Sequence, residues 1–136
     1  MTSTPHRSPL RDSSVVGVVT VDDQAVFRTA AREIIEATPG FCALGEAASG
    51  AEGLALVDDL DPELVLIDVR MPGMNGIETA RRLTELHPRS VVVLISLADR
   101  ANVPSAAADS GAVALLRKQD FNRAMLLDLW ARYGRR

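Results

Sequence analysis

The chain holds a single cysteine, Cys42, so no internal disulfide can staple the fold, and a reducing cytoplasmic setting is expected. One cysteine and two histidines, His6 and His87, fall short of any zinc-ligand spacing. Aromatic residues number five, which leaves Val, Leu, Ile and Ala to build the core. Long apolar runs are missing too. The longest, at 15–21, has seven residues broken by Gly17 and Thr20, against roughly 20 needed to cross a bilayer, so no membrane association is expected. Residues 1–14 carry Pro5 and Pro9 but no apolar stretch, which excludes a secretory signal and reads as a loose tail. A net charge of −3 argues against a nucleic-acid-coating surface, although Arg132, Arg135 and Arg136 make the C-terminus locally basic. Direct nucleic-acid binding is not expected.

What is present is ordinary globular composition: 47% hydrophobic and 24% charged residues in 136, enough for one domain, assigned to residues 15–136. Short β-branched or Leu-rich runs at 15–21, 41–46, 64–67, 91–95 and 112–116 read as strands, and the nearly all-apolar ones fit parallel strands covered on both faces. Between them, 25–38 places Val26, Ala30, Ile34 and Ala37 on one helical stripe and stops at Pro39-Gly40. Ser49 with Glu52, and Asn75 with Glu78, have the spacing of helix-starting capping boxes, and the third helix turns Ile77, Ala80 and Leu83 inward. A weaker fourth helix is expected over 104–110 and a fifth over 120–133. Strands alternating with helices imply right-handed crossovers, hence an α/β fold with a five-stranded parallel sheet of order 2-1-3-4-5. The sheet is doubly wound, flavodoxin-like, with five helices.

In such sheets ligands bind beyond the carboxyl ends of the strands. Asp22-Asp23 follows the first strand, Asp68 the third, Ser96 the fourth and Lys118 the fifth. Crowded carboxylates repel by roughly 4 kcal/mol per pair for unit charges 4 Å apart at an effective dielectric near 20. A hard dication relieves that repulsion, and Mg²⁺ is preferred because it needs only one or two carboxylates and keeps waters for a phosphate. A carboxylate beside Mg²⁺ and Lys118 suits nucleophilic attack on phosphorus, and Asp68 is the best-placed candidate, with the Ser96 hydroxyl available to a phosphoryl oxygen. Taken alone, Asp22-Asp23 could instead cap the first helix, Ser96 could be a turn residue and Lys118 a solvated one. Their joint placement favours the shared site. The segment Met71-Pro72-Gly73-Met74-Asn75-Gly76 reads as scaffold around Asp68, and Cys42 as a small core hydrophobe.

With these residues in view, the chain resembles the receiver domains of two-component response regulators over about residues 15–133. The carrying segments are VTVDDQAVFR (19–28), LVLIDVRMPGMNGIETARRL (64–83), VVVLIS (91–96) and GAVALLRK (111–118). The third strand's continuation looks most like receivers joined to LuxR-type helix-turn-helix domains. The resemblance implies that Asp68 is the phosphoacceptor and that Asp23, Asp68 and the backbone carbonyl of Arg70 bind Mg²⁺ directly, with Asp22 acting largely through water. It further implies that Ser96 is the switch hydroxyl and that Lys118 pairs with Asp68 or its phosphoryl group. The donor would be a sensor histidine kinase, a phosphotransfer protein or a small acyl phosphate. The implied output is a partner-binding or homodimer face made by the fourth helix, fifth strand and fifth helix. Such a domain catalyses only its own phosphorylation and dephosphorylation.

Four positions depart from the family pattern. Leu115 stands where an aromatic switch residue is usual, and Leu97 where a small residue usually follows the switch hydroxyl, with bulk that narrows access to Asp68. Gln119 replaces a proline that is often cis, so a trans bond is expected after Lys118. Pro104 falls inside the family's fourth helix, which should therefore start late. These departures keep a second reading open, a phosphorylation-independent interaction domain. A phosphatase of the haloacid-dehalogenase kind is disfavoured by Arg70, two positions after the nucleophile where that group places an acid. Nucleotide binding is disfavoured because no Gly-rich loop follows the first strand.

Overall fold

The computed structural model describes residues 15–99 and 102–134; the tail assigned to 1–14, and Arg135 and Arg136, lie outside the described residues. Five strands, β1 (Val16–Val21), β2 (Phe41–Ala47), β3 (Leu64–Asp68), β4 (Val91–Ser96) and β5 (Ala114–Arg117), pair in parallel in the order β2-β1-β3-β4-β5. Every residue of β1, β3 and β4 is buried, which is why these strands are nearly all apolar instead of alternating with polar residues, Thr20, Asp68 and Ser96 being the exceptions.

Among the described residues, four α-helices cover the sheet: α1 (Ala25–Glu36), α2 (Gly50–Leu60), α3 (Gly76–Leu86) and α4 (Arg123–Tyr133). Because side chains alternate along a strand, one sheet yields two cores. Val19, Val21, Ile67 and Leu94 meet Val57 of α2 and Leu83 of α3 on one face. Val18, Leu66 and Val93 meet Ile35 of α1 and Leu126 and Leu129 of α4 on the other. The caps expected for α2 and α3 are formed: Ser49 accepts from the Glu52 N–H at 3.2 Å and Asn75 from the Glu78 N–H at 2.9 Å. None of the described helices is long and apolar enough to cross a membrane.

Three expectations need correction. The buried stripe of α1 is rotated from the one read in the sequence: Ala31 and Ile35 are buried, Phe27 and Ile34 partly so, and Val26 is 83% exposed. Two apolar stripes of similar strength compete on this helix, and the larger Phe27 takes the inside. The fourth helix is no α-helix but a 3-10 turn over Ser105–Asp109, preceded by Pro104 and followed by Gly111 at φ +94. Five residues, none of them buried, gain too little from packing to offset the cost of nucleating a helix. Finally, the stretch expected to run unbroken from 120 is a 3-10 turn over Lys118–Asp120 followed by α4, whose N-cap is Asn122, accepting from the Met125 N–H at 2.8 Å.

Candidate functional site

Parallel strands end on one rim, and the last strand residues and the turns that follow them present the polar residues. Asp68 is the last residue of β3, in register with Ile95, so Ser96 follows one step further along the adjoining strand. Lys118 opens the 3-10 turn after β5, and Asp22 and Asp23 follow β1 directly. One carboxylate oxygen from each of Asp22, Asp23 and Asp68 lies within 4.8 Å of the others. Lys118 Nζ lies 2.6 Å from Asp22 Oδ2 and 3.5 Å from Asp68 Oδ2. A cavity of about 350 Å³ at this rim is lined by Asp23, Asp68, Arg70, Ser96, Leu97 and Lys118, with Asp22 fully buried beside it.

The local folding explains this convergence. Asp22 does not cap α1. Its Oδ1 instead accepts from the Gln24 N–H at 2.8 Å, tightening the turn between β1 and α1. Arg28, one and a half turns along, donates from Nη1 to the Asp22 carbonyl at 2.7 Å, which fixes the same turn from the helix side. Asp68 Oδ1 accepts from the Arg70 N–H at 3.3 Å. Ser96 Oγ, nearly buried, accepts from the Ala98 N–H at 2.9 Å. Leu97 lines the cavity yet remains 72% exposed, so it stands at the mouth and does not fill the interior. The bond joining Lys118 to Gln119 is trans.

The electrostatics follow from burial. Loss of solvent, then repulsion from Asp22, pushes the Asp68 carboxyl up to about 6, against the opposing pull of Lys118 and the Arg70 N–H. Two close carboxylates facing one ammonium leave negative charge uncompensated. Asp22 Oδ2 is fully buried and has the Lys118 ammonium 2.6 Å away, a cation it shares with Asp68, while Asp23 adds a third carboxylate to the cluster. A small dication held by oxygen ligands offsets the remaining negative charge, so the residues present fit Mg²⁺.

Phe27, Arg28 and Gly76 also shape the site; the sequence pointed to Gly76 only as part of the scaffold segment around Asp68, and to neither Phe27 nor Arg28 as a site residue. Phe27 packs its ring under Lys118, Arg28 pins the acidic turn, and Gly76 abuts the backbone of Asp68. Reading the inward stripe of α1 through Phe27 would have pointed to the first of these.

Sequence and fold are similar to those of known proteins. The response regulator receiver domain model fits residues 18–129. The chain is 35% identical over 101 residues to the nitrate/nitrite response regulator protein NarL of Escherichia coli, covering 74% of this chain and 47% of that protein. It is 34% identical over 104 residues to the response regulator GacA of Pseudomonas protegens, covering 76% and 49%. The chain thus spans about half the length of these curated relatives. Among solved structures, the signal receiver domain of the putative response regulator NarL from Mycobacterium tuberculosis superimposes with a TM-score of 0.76 at 32% identity, covering 85% of this chain and 96% of that one. Fold, family model and relatives agree, and the chain belongs to the response regulator receiver domain family.

Proposed function

We propose that Asp68 accepts a phosphoryl group from a histidine kinase, a phosphotransfer protein or a small acyl phosphate. One observation carries this reading: three carboxylate oxygens lie within 4.8 Å of one another, and those of Asp22 and Asp68 meet the buried Lys118 ammonium, beside a cavity lined by Asp68 itself. An Asp68 oxygen forms the new P–O bond as the donor's P–N bond, or its acyl P–O bond, breaks. The leaving imidazole or carboxylate keeps the electron pair. Asp23, Asp68 and the Arg70 carbonyl are the ligands proposed for Mg²⁺, with Asp22 acting largely through water. When bound, the ion supplies positive charge against the phosphoryl oxygens. Lys118 supplies fixed charge of the same sign, and the Ser96 hydroxyl is placed to donate to a phosphoryl oxygen.

The output we propose is a change at the face made by the Ser105–Asp109 turn, β5 and α4, where a groove of about 420 Å³ is lined by Leu115, Met125 and Leu129 among others. A second copy of the chain or a partner protein would dock there. Leu97 at the cavity mouth supports slow loss of the phosphoryl group, because it narrows the approach of water to Asp68. The intact set of Asp22, Asp23, Asp68, Ser96 and Lys118 weighs against the phosphorylation-independent alternative.

Mass spectrometry after treatment with acetyl phosphate and Mg²⁺ tests the reading. One phosphoryl group should appear on the wild-type chain, none without the metal, and none on Asp68→Asn. Equal incorporation by the variant would overturn the assignment.

A further inference from the structure

Lysine is a flexible residue whose compact charge sits at the end of four methylenes, so a lysine that must act at one point has to be held there. Lys118 is only 8% exposed, and its anionic partners, Asp22 and Asp68, differ in reach at 2.6 and 3.5 Å. The ammonium also lies 4.8 Å from the centroid of the Phe27 ring, inside the roughly 6 Å within which a ring's quadrupole attracts a cation. That ring is itself braced: Phe121 stands 6.1 Å from it, tilted by 52°. Phe121 comes from Lys118's own turn, where its N–H donates to the Lys118 carbonyl at 3.2 Å. Cation, ring and brace therefore form one packed unit joining the start of α1 to the end of β5.

We infer that Phe27 is a positioning residue for Lys118, an aromatic floor that keeps the ammonium between Asp22 and Asp68 and so sets the rate at which Asp68 is phosphorylated. This rests on the reading of Asp68 as phosphoacceptor. An aromatic face suits the task because it attracts a cation broadly, without fixing it to one point. The ammonium, now nearer Asp22, can move toward Asp68 as charge builds up there without leaving the ring. A third carboxylate would trap it, and an aliphatic floor would leave its inner side without an attractive partner.

If Phe27 served only to fill the core, its volume would matter and its π charge would not. The test separates the two in the full 136-residue chain. Phe27→Leu removes the ring, Phe27→Tyr keeps it, and mono- and trifluorophenylalanine placed at 27 keep its shape while weakening the charge of its face. Two readouts are taken: the initial rate of phosphoryl incorporation from acetyl phosphate with saturating Mg²⁺, and the proton shifts of the Lys118 ε-methylene. A desolvated cation–π contact predicts a rate loss of about 5- to 30-fold in Phe27→Leu, a stepwise loss with fluorination, and retention within about 3-fold in Phe27→Tyr. Ring current should move the ε-methylene protons upfield in the wild type and release them in Phe27→Leu. Should Phe27→Leu fail to fold, the fluorinated series decides. Unchanged rates across that series, or ε-methylene protons at their unperturbed position in the wild type, would overturn the inference. Incorporation equal in wild type and Asp68→Asn would overturn the phosphoacceptor reading instead, and the Lys118 shifts would then judge the ring contact on their own.

Discussion

Gly76, the first residue of α3, packs its α-carbon against the backbone carbonyl of Asp68, so that a β-carbon there would collide with that oxygen and with Val69. Its φ is not in the left-handed region, so the requirement for glycine is steric. The Gly76 N–H donates to the Val69 carbonyl at 2.9 Å, tying the helix start to the end of the strand that carries Asp68. Gly76→Ala must therefore push α3 away or shift Asp68. The expected cost is about 2–4 kcal/mol in urea unfolding, with slower phosphorylation of whatever folds. A loss below about 0.5 kcal/mol would show that the contact is easily relieved.

The Asp68 carboxyl gives stability a pH dependence in the metal-free protein. Burial, then Asp22, pushes it up to about 6, above its unfolded value, so the fold holds that proton more tightly than the unfolded chain does. Folding is penalised progressively as pH rises from the unfolded pKa through about 6. Asp68→Asn, which cannot ionise, should match the wild type below about pH 4, gain on it across pH 4–6 and exceed it by roughly 1–2 kcal/mol at pH 8, a figure discounted for solvent at the cavity mouth. Denaturant titrations in chelator at several pH values measure this. A difference that stays constant with pH would remove the electrostatic account.

Mg²⁺ should offset the same penalty. A ligand that binds only the folded state stabilises it by about 2.7 kcal/mol at a hundred times its Kd. Thermal unfolding of the wild type should therefore shift upward with Mg²⁺, and Asp23→Asn should lose most of that shift while its metal-free midpoint stays close to the wild type's or rises. An undiminished shift in Asp23→Asn would exclude that carboxylate as a ligand.

Arg28 offers a cleaner probe of the acidic turn, because it touches the backbone of Asp22 and none of the proposed metal-ligating oxygens. Its Nη1 donates to the Asp22 carbonyl at 2.7 Å while its Nε lies 3.7 Å from Glu46 on β2. Removing the side chain frees the turn that holds Asp22 and Asp23 in place. Arg28→Ala should weaken Mg²⁺ binding by about 3- to 10-fold in calorimetric titration, the loss of one charge-assisted hydrogen bond. Arg28→Lys should recover part of it. Affinity unchanged in Arg28→Ala would mean that the Gln24 N–H alone fixes the turn.

Strand-level features were the most legible in the sequence, because a parallel strand buried on both faces is a short apolar run, and the residue just after each run marks the rim. Asp22, Asp23, Asp68, Ser96 and Lys118 could be placed together for that reason. Features depending on rotation or length were harder to read. On α1, Val26 and Phe27 are neighbours 100° apart on the helix, and only packing against the sheet decides which turns inward. At Ser105–Asp109, three consecutive alanines favour a helix, but their side chains bury too little to sustain one. The role of Phe27 arises from a contact across the fold, with Lys118, that no local spacing encodes, whereas Gly76 was legible as part of the scaffold after Asp68 but not as the residue whose bareness the Asp68 carbonyl requires.

Trp130 and Leu127 separate packing from association on α4. The sequence shows more apolar residues there than one stripe needs, and the structure divides them. Trp130 is partly buried and meets Phe41 of β2 edge-on, with centroids 6.5 Å apart and ring planes at 80°, whereas Leu127 is 48% exposed. Trp130→Ala should cost about 2–4 kcal/mol of stability through lost aromatic packing and leave the oligomeric state unchanged in light scattering. Leu127→Lys should change stability by less than about 0.5 kcal/mol. If a phosphorylated dimer forms through a face that includes this part of α4, that variant should abolish it while Asp68 is still phosphorylated. A Trp130→Ala protein that keeps its stability but loses a dimer would reverse the two roles and place the indole at the interface.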